Sequence, residues 1–199
     1  RGWIPGRASA PVGRDRSRRA GAGGGLMTQQ HILLVGLPGS GKTTIGRMVA
    51  ERLKAGFVDF DLVISRKMGM PIARIFGEHG EQKFRDMERK TAENAFAGPP
   101  SIIAPGGGWA AQPGQLEAAK AQCFVIYLKV MATTAAQRTS GDGTRPILAG
   151  DDPFARMRDL LKEREPQYLL AHAQVKGDNR TAEQVADEVV TLIKQQAGW

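Results

Sequence analysis

Apolar and polar positions along this chain fall into blocks that read as strand and helix in turn. His31-Ile-Leu-Leu-Val35 is an unbroken apolar run of strand length. Ile45, Met48, Val49 and Leu53 then follow with helical spacing, and Gly56 reads as the stop. Phe57-Val-Asp-Phe60 reads as a short strand candidate. Residues 62–97 read as helical, through Leu62-Val-Ile64, Ile72, Ile75-Phe76 and a segment from about Glu78 to Phe96, until Pro99-Pro100 breaks the run. Ser101-Ile-Ile-Ala104 is a short buried strand, a short helix fits residues 112–120, and Cys123 to Lys129 is the most hydrophobic strand. A helix near Ala132–Arg138 leads into the polar, glycine-punctuated stretch from Thr139 to Asp152. Pro153 suits the first turn of a helix running to about His172. Ala173-Gln-Val-Lys176 is a weak strand, and Ala182–Gln195 closes the chain as an amphipathic helix. Strands alternating with helices predict an α/β fold with a parallel sheet covered on both faces.

Composition adds bounds. At 199 residues and 41% hydrophobic, the chain suits one domain, or one domain plus a tail. No apolar run approaches the roughly 20 residues of a membrane span, so no membrane partner is expected. The single cysteine, Cys123, lies in a core strand, which fits a reducing cytoplasm. The net charge of +8 raises nucleic-acid binding, but residues 1–26 hold six arginines against one aspartate, a net +5, which leaves +3 for the remainder. That stretch ends in Gly21-Ala-Gly-Gly-Gly25 and has no apolar periodicity. It is expected to be a disordered Arg/Gly-rich extension, with the folded domain spanning residues 27–199 from Met27.

The chemistry begins at Gly36-Leu-Pro-Gly-Ser-Gly-Lys-Thr43, a complete phosphate loop between a strand and a helix N-terminus. Backbone N–H groups curled around the loop, with the helix dipole, favour phosphate. Lys42 should reach the β- and γ-phosphates, and the Thr43 hydroxyl should ligate Mg²⁺. Gly39, Ser40, Gly41 and Thr44 complete the nucleotide-binding set. This motif requires a nucleoside triphosphate and leaves the acceptor open. Four further stretches bear on the acceptor. Asp59 and Asp61 sit at the end of the second strand, where alternation turns both toward the ligand crevice. Arg85 and Glu88 stand three apart on one helix face, so Glu88 can orient the guanidinium. Gly106-Gly-Gly108, at a strand's carboxyl end, leaves backbone amides open to a small ligand. Arg145, in Gly143-Thr-Arg-Pro146, could swing onto a transferring phosphate, a role that suits the arginine fork.

Taken in order, these residues resemble the shikimate kinases. The shared pattern is Gly46-Arg47 after the phosphate loop, Asp59/Asp61, Gly80-Glu-Gln-Lys-Phe-Arg-Asp-Met-Glu88, Gly106–Gly108, Arg145-Pro-Ile-Leu148 and Arg164-Glu-Pro-Gln-Tyr168. The resemblance spans about Gln30 to Ile193. It implies a P-loop, nucleoside-monophosphate-kinase-like three-layer sandwich with a five-stranded parallel sheet of order 2-3-1-4-5. Substrate-binding helices would lie at about 60–97 and a lid at about 139–152. It further implies ATP and Mg²⁺ as cofactors and shikimate as substrate, its carboxylate clamped by Arg85 and Arg164. Asp61 would contact the reacting hydroxyl, with Gly107 and its neighbours Gly106 and Gly108 beside it. Asp59 would stand on the Mg²⁺ side with Thr43, Arg145 at the transferring phosphate, and Arg138 and Arg180 beside adenine. Lys42, Asp61 and Arg145 are then the catalytic residues of a cytoplasmic monomer with no nucleic-acid partner.

Two departures stand out. Trp109 follows the triple glycine where the family has a small residue, and should turn outward or into the core. Residues 179–182 lack the proline found near adenine. Rival readings are another small-molecule kinase of this fold, such as gluconate kinase, or a non-catalytic nucleotide-binding module. The first would not need arginines at both 85 and 164. The second would not keep Lys42, Asp61 and Arg145 together.

Overall fold

The computed structural model describes residues 28–139 and 152–199; the extension expected at 1–26 and the body of the expected lid, with Arg145, lie outside the described residues. Five strands form one parallel sheet: β1 (His31–Val35), β2 (Gly56–Asp59), β3 (Ser101–Ala104), β4 (Cys123–Lys129) and β5 (Ala173–Lys176). Their spatial order is β2-β3-β1-β4-β5. The sheet order implied by the resemblance is therefore the observed one.

The central strand explains its own composition. Ile32 and Leu34 pack on one face with Val49 of α1 (Lys42–Leu53) and Val189 of α7 (Ala182–Gln196). Leu33 and Val35 pack on the other, against α2 (Phe60–Met68), α3 (Ile72–Phe96), α4 (Gln115–Lys120), α5 (Ala132–Thr139) and α6 (Pro153–Tyr168). A strand buried on both sides must be apolar throughout, which is why this run shows no period of two. Neighbours β3 and β4 leave β1 in opposite directions across the sheet. The carboxyl end of β1 is therefore the switch point where such sheets bind ligands.

Several boundaries differ from the sequence reading. Lys54, in the left-handed region at φ 52°, ends α1, and Gly56 instead begins β2. Phe60 starts a helix rather than closing a strand, because the Asp59 carboxylate accepts from the Leu62 N–H at 3.1 Å and caps α2. The single helical run expected over 62–97 divides at Gly69 and Pro71 into α2 and α3. Within α3, Gly80 stands at φ 75°, ψ 168°, a backbone state essentially reserved for glycine, and kinks the helix. Helix α6 stops at Tyr168, four residues short of the expected end. His172 is drawn to the sheet instead, where its N–H donates to the Val125 carbonyl and its Nδ1 accepts from the Val125 N–H, both at 2.9 Å.

Trp109 turns into the core. It is 2% exposed and meets Phe60 and Phe96 edge-on, at centroid distances of 5.8 and 6.2 Å. Its Nε1 has no hydrogen-bond partner among the described residues, so its role is packing. We expect Trp109→Ala to lower stability by roughly 3–5 kcal/mol in urea unfolding, and Trp109→Phe by much less. Equal losses in the two variants would contradict a packing role.

Candidate active site

The phosphate loop joins β1 to α1. Gly41, at φ 96°, caps the helix, and the Ser40 N–H closes the turn on the Leu37 carbonyl at 3.1 Å. Lys42 is buried, and its ammonium donates to the carbonyls of Gly36 and Leu37, each at 2.9 Å. The Thr43 hydroxyl donates to the Asp59 carboxylate at 2.6 Å. This loop opens into a cavity of about 360 Å³ lined by Gly39, Gly41 to Thr44, Asp59, Asp61, Gly106, Gly107 and Arg138.

A second cavity, of about 280 Å³, lies on the far side of Asp61. Ile72, Phe76 and Phe84 give it an apolar wall, and Asp61, Arg85, Glu88 and Arg164 give it charge. The two cavities share Asp61, Gly106 and Gly107. Asp61 reaches this common wall from the first turn of α2, not from strand alternation as the sequence suggested.

The three glycines sit in tight contacts and need no left-handed conformation. A Cβ on Gly106 would stand 2.7 Å from Glu88 Oε1 and 3.1 Å from Asp61 Oδ1. One on Gly107 would stand 3.1 Å from Pro38 of the phosphate loop, and one on Gly108 2.9 Å from Arg85 Nη2. Bare backbone lets both walls close on the turn.

Arg85 donates through Nη1 to Glu88 at 2.6 Å and through Nη2 to the exposed Glu81 at 2.9 Å. Arg164 is 5% exposed, and its Nε has no hydrogen bond among the described residues. Its Nε lies 3.7 Å from the exposed Glu163 carboxylate, and with Arg85 on the same cavity two guanidinium groups suit a carboxylate ligand. Glu88 is fully buried with Oε1 unpartnered. Burial pushes its carboxyl up to about 7; Arg85 opposes the shift, Asp61 adds to it and Arg164 opposes it.

Beyond the phosphate loop, Arg138 donates to the Gly177 carbonyl at 3.2 Å. Arg180 donates to the Lys176 and Gln184 carbonyls and to Glu188. Both arginines line a cavity of about 230 Å³ that reaches Ser40, Gly41 and Thr44. Apart from Arg145, every site residue expected from the sequence falls at one of these connected cavities. Sequence reasoning missed the apolar wall of Ile72, Phe76 and Phe84. Its signal was the four-residue spacing of Ile72 and Phe76, readable as core because both faces of that helix segment carry apolar residues.

A phosphate loop at the switch point, facing a charged second cavity across a shared carboxylate, defines a P-loop kinase of nucleoside-monophosphate-kinase-like fold. The comparisons give the particular kind. The chain belongs to the shikimate kinase family, whose family model matches residues 38–194. It is 43% identical over 139 residues to the shikimate kinase of Mycobacterium avium, covering 70% of this chain and 78% of the relative. The solved shikimate kinase of Acinetobacter baumannii in complex with shikimate matches at 36% identity and a TM-score of 0.80, covering 85% of this chain and 96% of that one. A gluconokinase from Sinorhizobium meliloti matches at 14% identity and a TM-score of 0.59, over 85% of this chain and 94% of that one, a likeness of fold alone.

The elevated Glu88 carboxyl has a consequence for stability. Its ordinary value is 4.5, so between about pH 4.5 and 7 the folded chain holds a proton that the unfolded chain releases. The resulting stabilisation is full below that window and is lost as pH rises through about 7. Glu88→Gln should therefore flatten the fall of the urea midpoint across this range. An unchanged slope in the variant would show that Glu88 ionises as readily folded as unfolded.

Proposed function

We infer that this chain transfers the γ-phosphate of ATP to the 3-hydroxyl of shikimate, giving shikimate 3-phosphate and ADP. The observation that carries this reading is the meeting of the phosphate-loop cavity and the two-arginine cavity at Asp61 and Gly106–Gly107. An acceptor held by its carboxylate on Arg85 and Arg164 can turn one hydroxyl toward Asp61. Holding both reactants in line supplies much of what phosphoryl transfer needs, and neutralising charge supplies the rest.

Each residue then has a task. Lys42 exchanges its two loop carbonyls for phosphate oxygens, so its charge is already placed before nucleotide arrives. Glu88 holds one edge of the Arg85 guanidinium, while the exposed Glu81 is the partner that substrate displaces. Asp61 orients the hydroxyl and accepts its proton. Arg145, by its place in the motif, belongs at the transferring phosphate, and Arg138 and Arg180 flank adenine. The Thr43 hydroxyl and Asp59 carboxylate are hard oxygen donors 2.6 Å apart, a pair that fits Mg²⁺. When bound there, Mg²⁺ would neutralise charge on the phosphates.

The same reading makes this a monomeric cytoplasmic enzyme of one folded domain over residues 27–199, with no nucleic-acid or membrane partner. The +3 charge outside residues 1–26 is modest for an anion-binding cleft. Among the described residues no helix is long and apolar enough to cross a membrane.

ADP release measured in parallel with shikimate, gluconate and AMP tests the assignment, with turnover expected on shikimate alone. Lys42→Ala should abolish that turnover. Arg85→Ala should raise the KM for shikimate by roughly tenfold to a hundredfold while leaving the KM for ATP unchanged. Unchanged shikimate affinity in this variant would refute the clamp.

A further inference from the structure

The hydroxyl of Tyr168 has no part in the reaction just described, yet it makes the shortest of the buried side-chain hydrogen bonds among the described residues. It donates to the Gly107 carbonyl at 2.6 Å, across 61 residues of sequence. The acceptor lies in a particular piece of backbone. The Trp109 N–H donates to the Gly106 carbonyl at 3.0 Å, so residues Gly106 to Trp109 form a β-turn. Gly107 and Gly108 are its central residues, and the Gly107 carbonyl belongs to the central peptide.

That peptide is the one that distinguishes the two common turn types. A half-rotation of it converts type I to type II, which requires φ near +80° at the third residue. Glycine at both central positions makes the conversion cheap. Neither Gly107 nor Gly108 takes a left-handed φ, so the turn is type I. A flip would carry the carbonyl away from Tyr168 and bring the Gly108 N–H toward it. The hydroxyl oxygen could accept from that N–H, but the buried hydroxyl proton would lose its carbonyl acceptor, so the flip carries a cost.

Tyr168 is well placed to impose this choice. It is fully buried, and its ring packs on Tyr127 at 5.3 Å. It lies one helical turn beyond Arg164 on α6, so the same helix face presents the arginine to the cavity and the hydroxyl to the glycine turn. Burial pushes its phenol up to about 12, with Arg164 opposing, so it remains a donor at neutral pH.

We propose that Tyr168 is a positioning residue: its hydroxyl locks the Gly106–Trp109 turn in the type I form. The central peptide then shows the substrate cavity its N–H edge instead of its carbonyl. Gly107 and Gly108 line that cavity, and Gly108 lies against Arg85. A flipped carbonyl on that side would offer Arg85 an internal acceptor in place of the substrate carboxylate. The turn type thus sets whether the acceptor site is open to an anion. This rests on the assignment of the two-arginine cavity to shikimate.

Tyr168→Phe keeps the ring and its packing, so the variant folds; it removes the hydroxyl, which also hydrogen-bonds the Arg164 side chain, so the Gly108 resonance is the readout that isolates the turn. The KM for shikimate should rise roughly threefold to tenfold with the KM for ATP unchanged. In ¹⁵N-glycine-labelled protein without substrate, the Gly108 amide resonance should shift or split relative to the wild type. A wild-type KM for shikimate, an unmoved Gly108 resonance, or an equal rise in both KM values would each overturn the proposal. The resonance is read without shikimate, so a wrong substrate assignment would fail the wild-type assay and leave this readout intact.

Discussion

The constraint on which the site depends is the absence of side chains at Gly106, Gly107 and Gly108. Three walls meet on this bare backbone: the carboxylates of the buried Glu88 and of Asp61, the phosphate loop at Pro38, and the Arg85 guanidinium. Any Cβ here would stand within about 3 Å of one of them, closer than ordinary packing permits. The turn is thus a hinge-pin of shape rather than a flexible linker. It lets two cavities with different electrostatics share a wall one carboxylate thick. Transfer between two bound molecules needs that proximity, because reacting atoms must approach to about 3–3.5 Å.

Electrostatics divides the same space. On one side, helix α1, Lys42 and Arg138 favour phosphate. On the other, the partly buried Arg85 and the buried Arg164 bring two guanidinium groups to one cavity. Glu88 takes one edge of Arg85, and its own burial makes it a reluctant anion. A buried pair of this kind contributes little net stability, since desolvation offsets the attraction. Its value here is orientation: Glu88 is on the same helix as Arg85 and cannot follow the guanidinium away from the cavity. Glu81 is exposed, so its contact is weak and readily exchanged.

Local chemistry was legible in the sequence, and burial was not. The phosphate loop is a contiguous motif whose geometry follows from its glycines and flanking elements, so Gly36 to Thr43 could be read directly. The fold class followed from unbroken apolar strands alternating with helices. Asp59 and Asp61 were placed in the cleft for the wrong reason. An N-cap competes with strand extension at Asp59, and pattern alone does not decide between them. The run over 62–97 looked like one helix because Gly69, Pro71 and Gly80 interrupt an otherwise helical spacing. Only the tertiary fold shows that the kink at Gly80 aims Glu81–Glu88 at the turn. Trp109 could be limited to outward or inward, and the cluster with Phe60 and Phe96 decides it. Tyr168 belonged to a recognised motif, but its partner 61 residues away appears only once the chain is folded.

The central claim is that the two-arginine cavity binds a small carboxylate acceptor beside the nucleotide. Calorimetric titration of shikimate into the full chain, alone and with saturating ADP, tests it most directly. One site per chain, lost in Arg85→Ala and kept in Lys42→Ala, is the expected result. No detectable heat of binding in either condition would contradict the account.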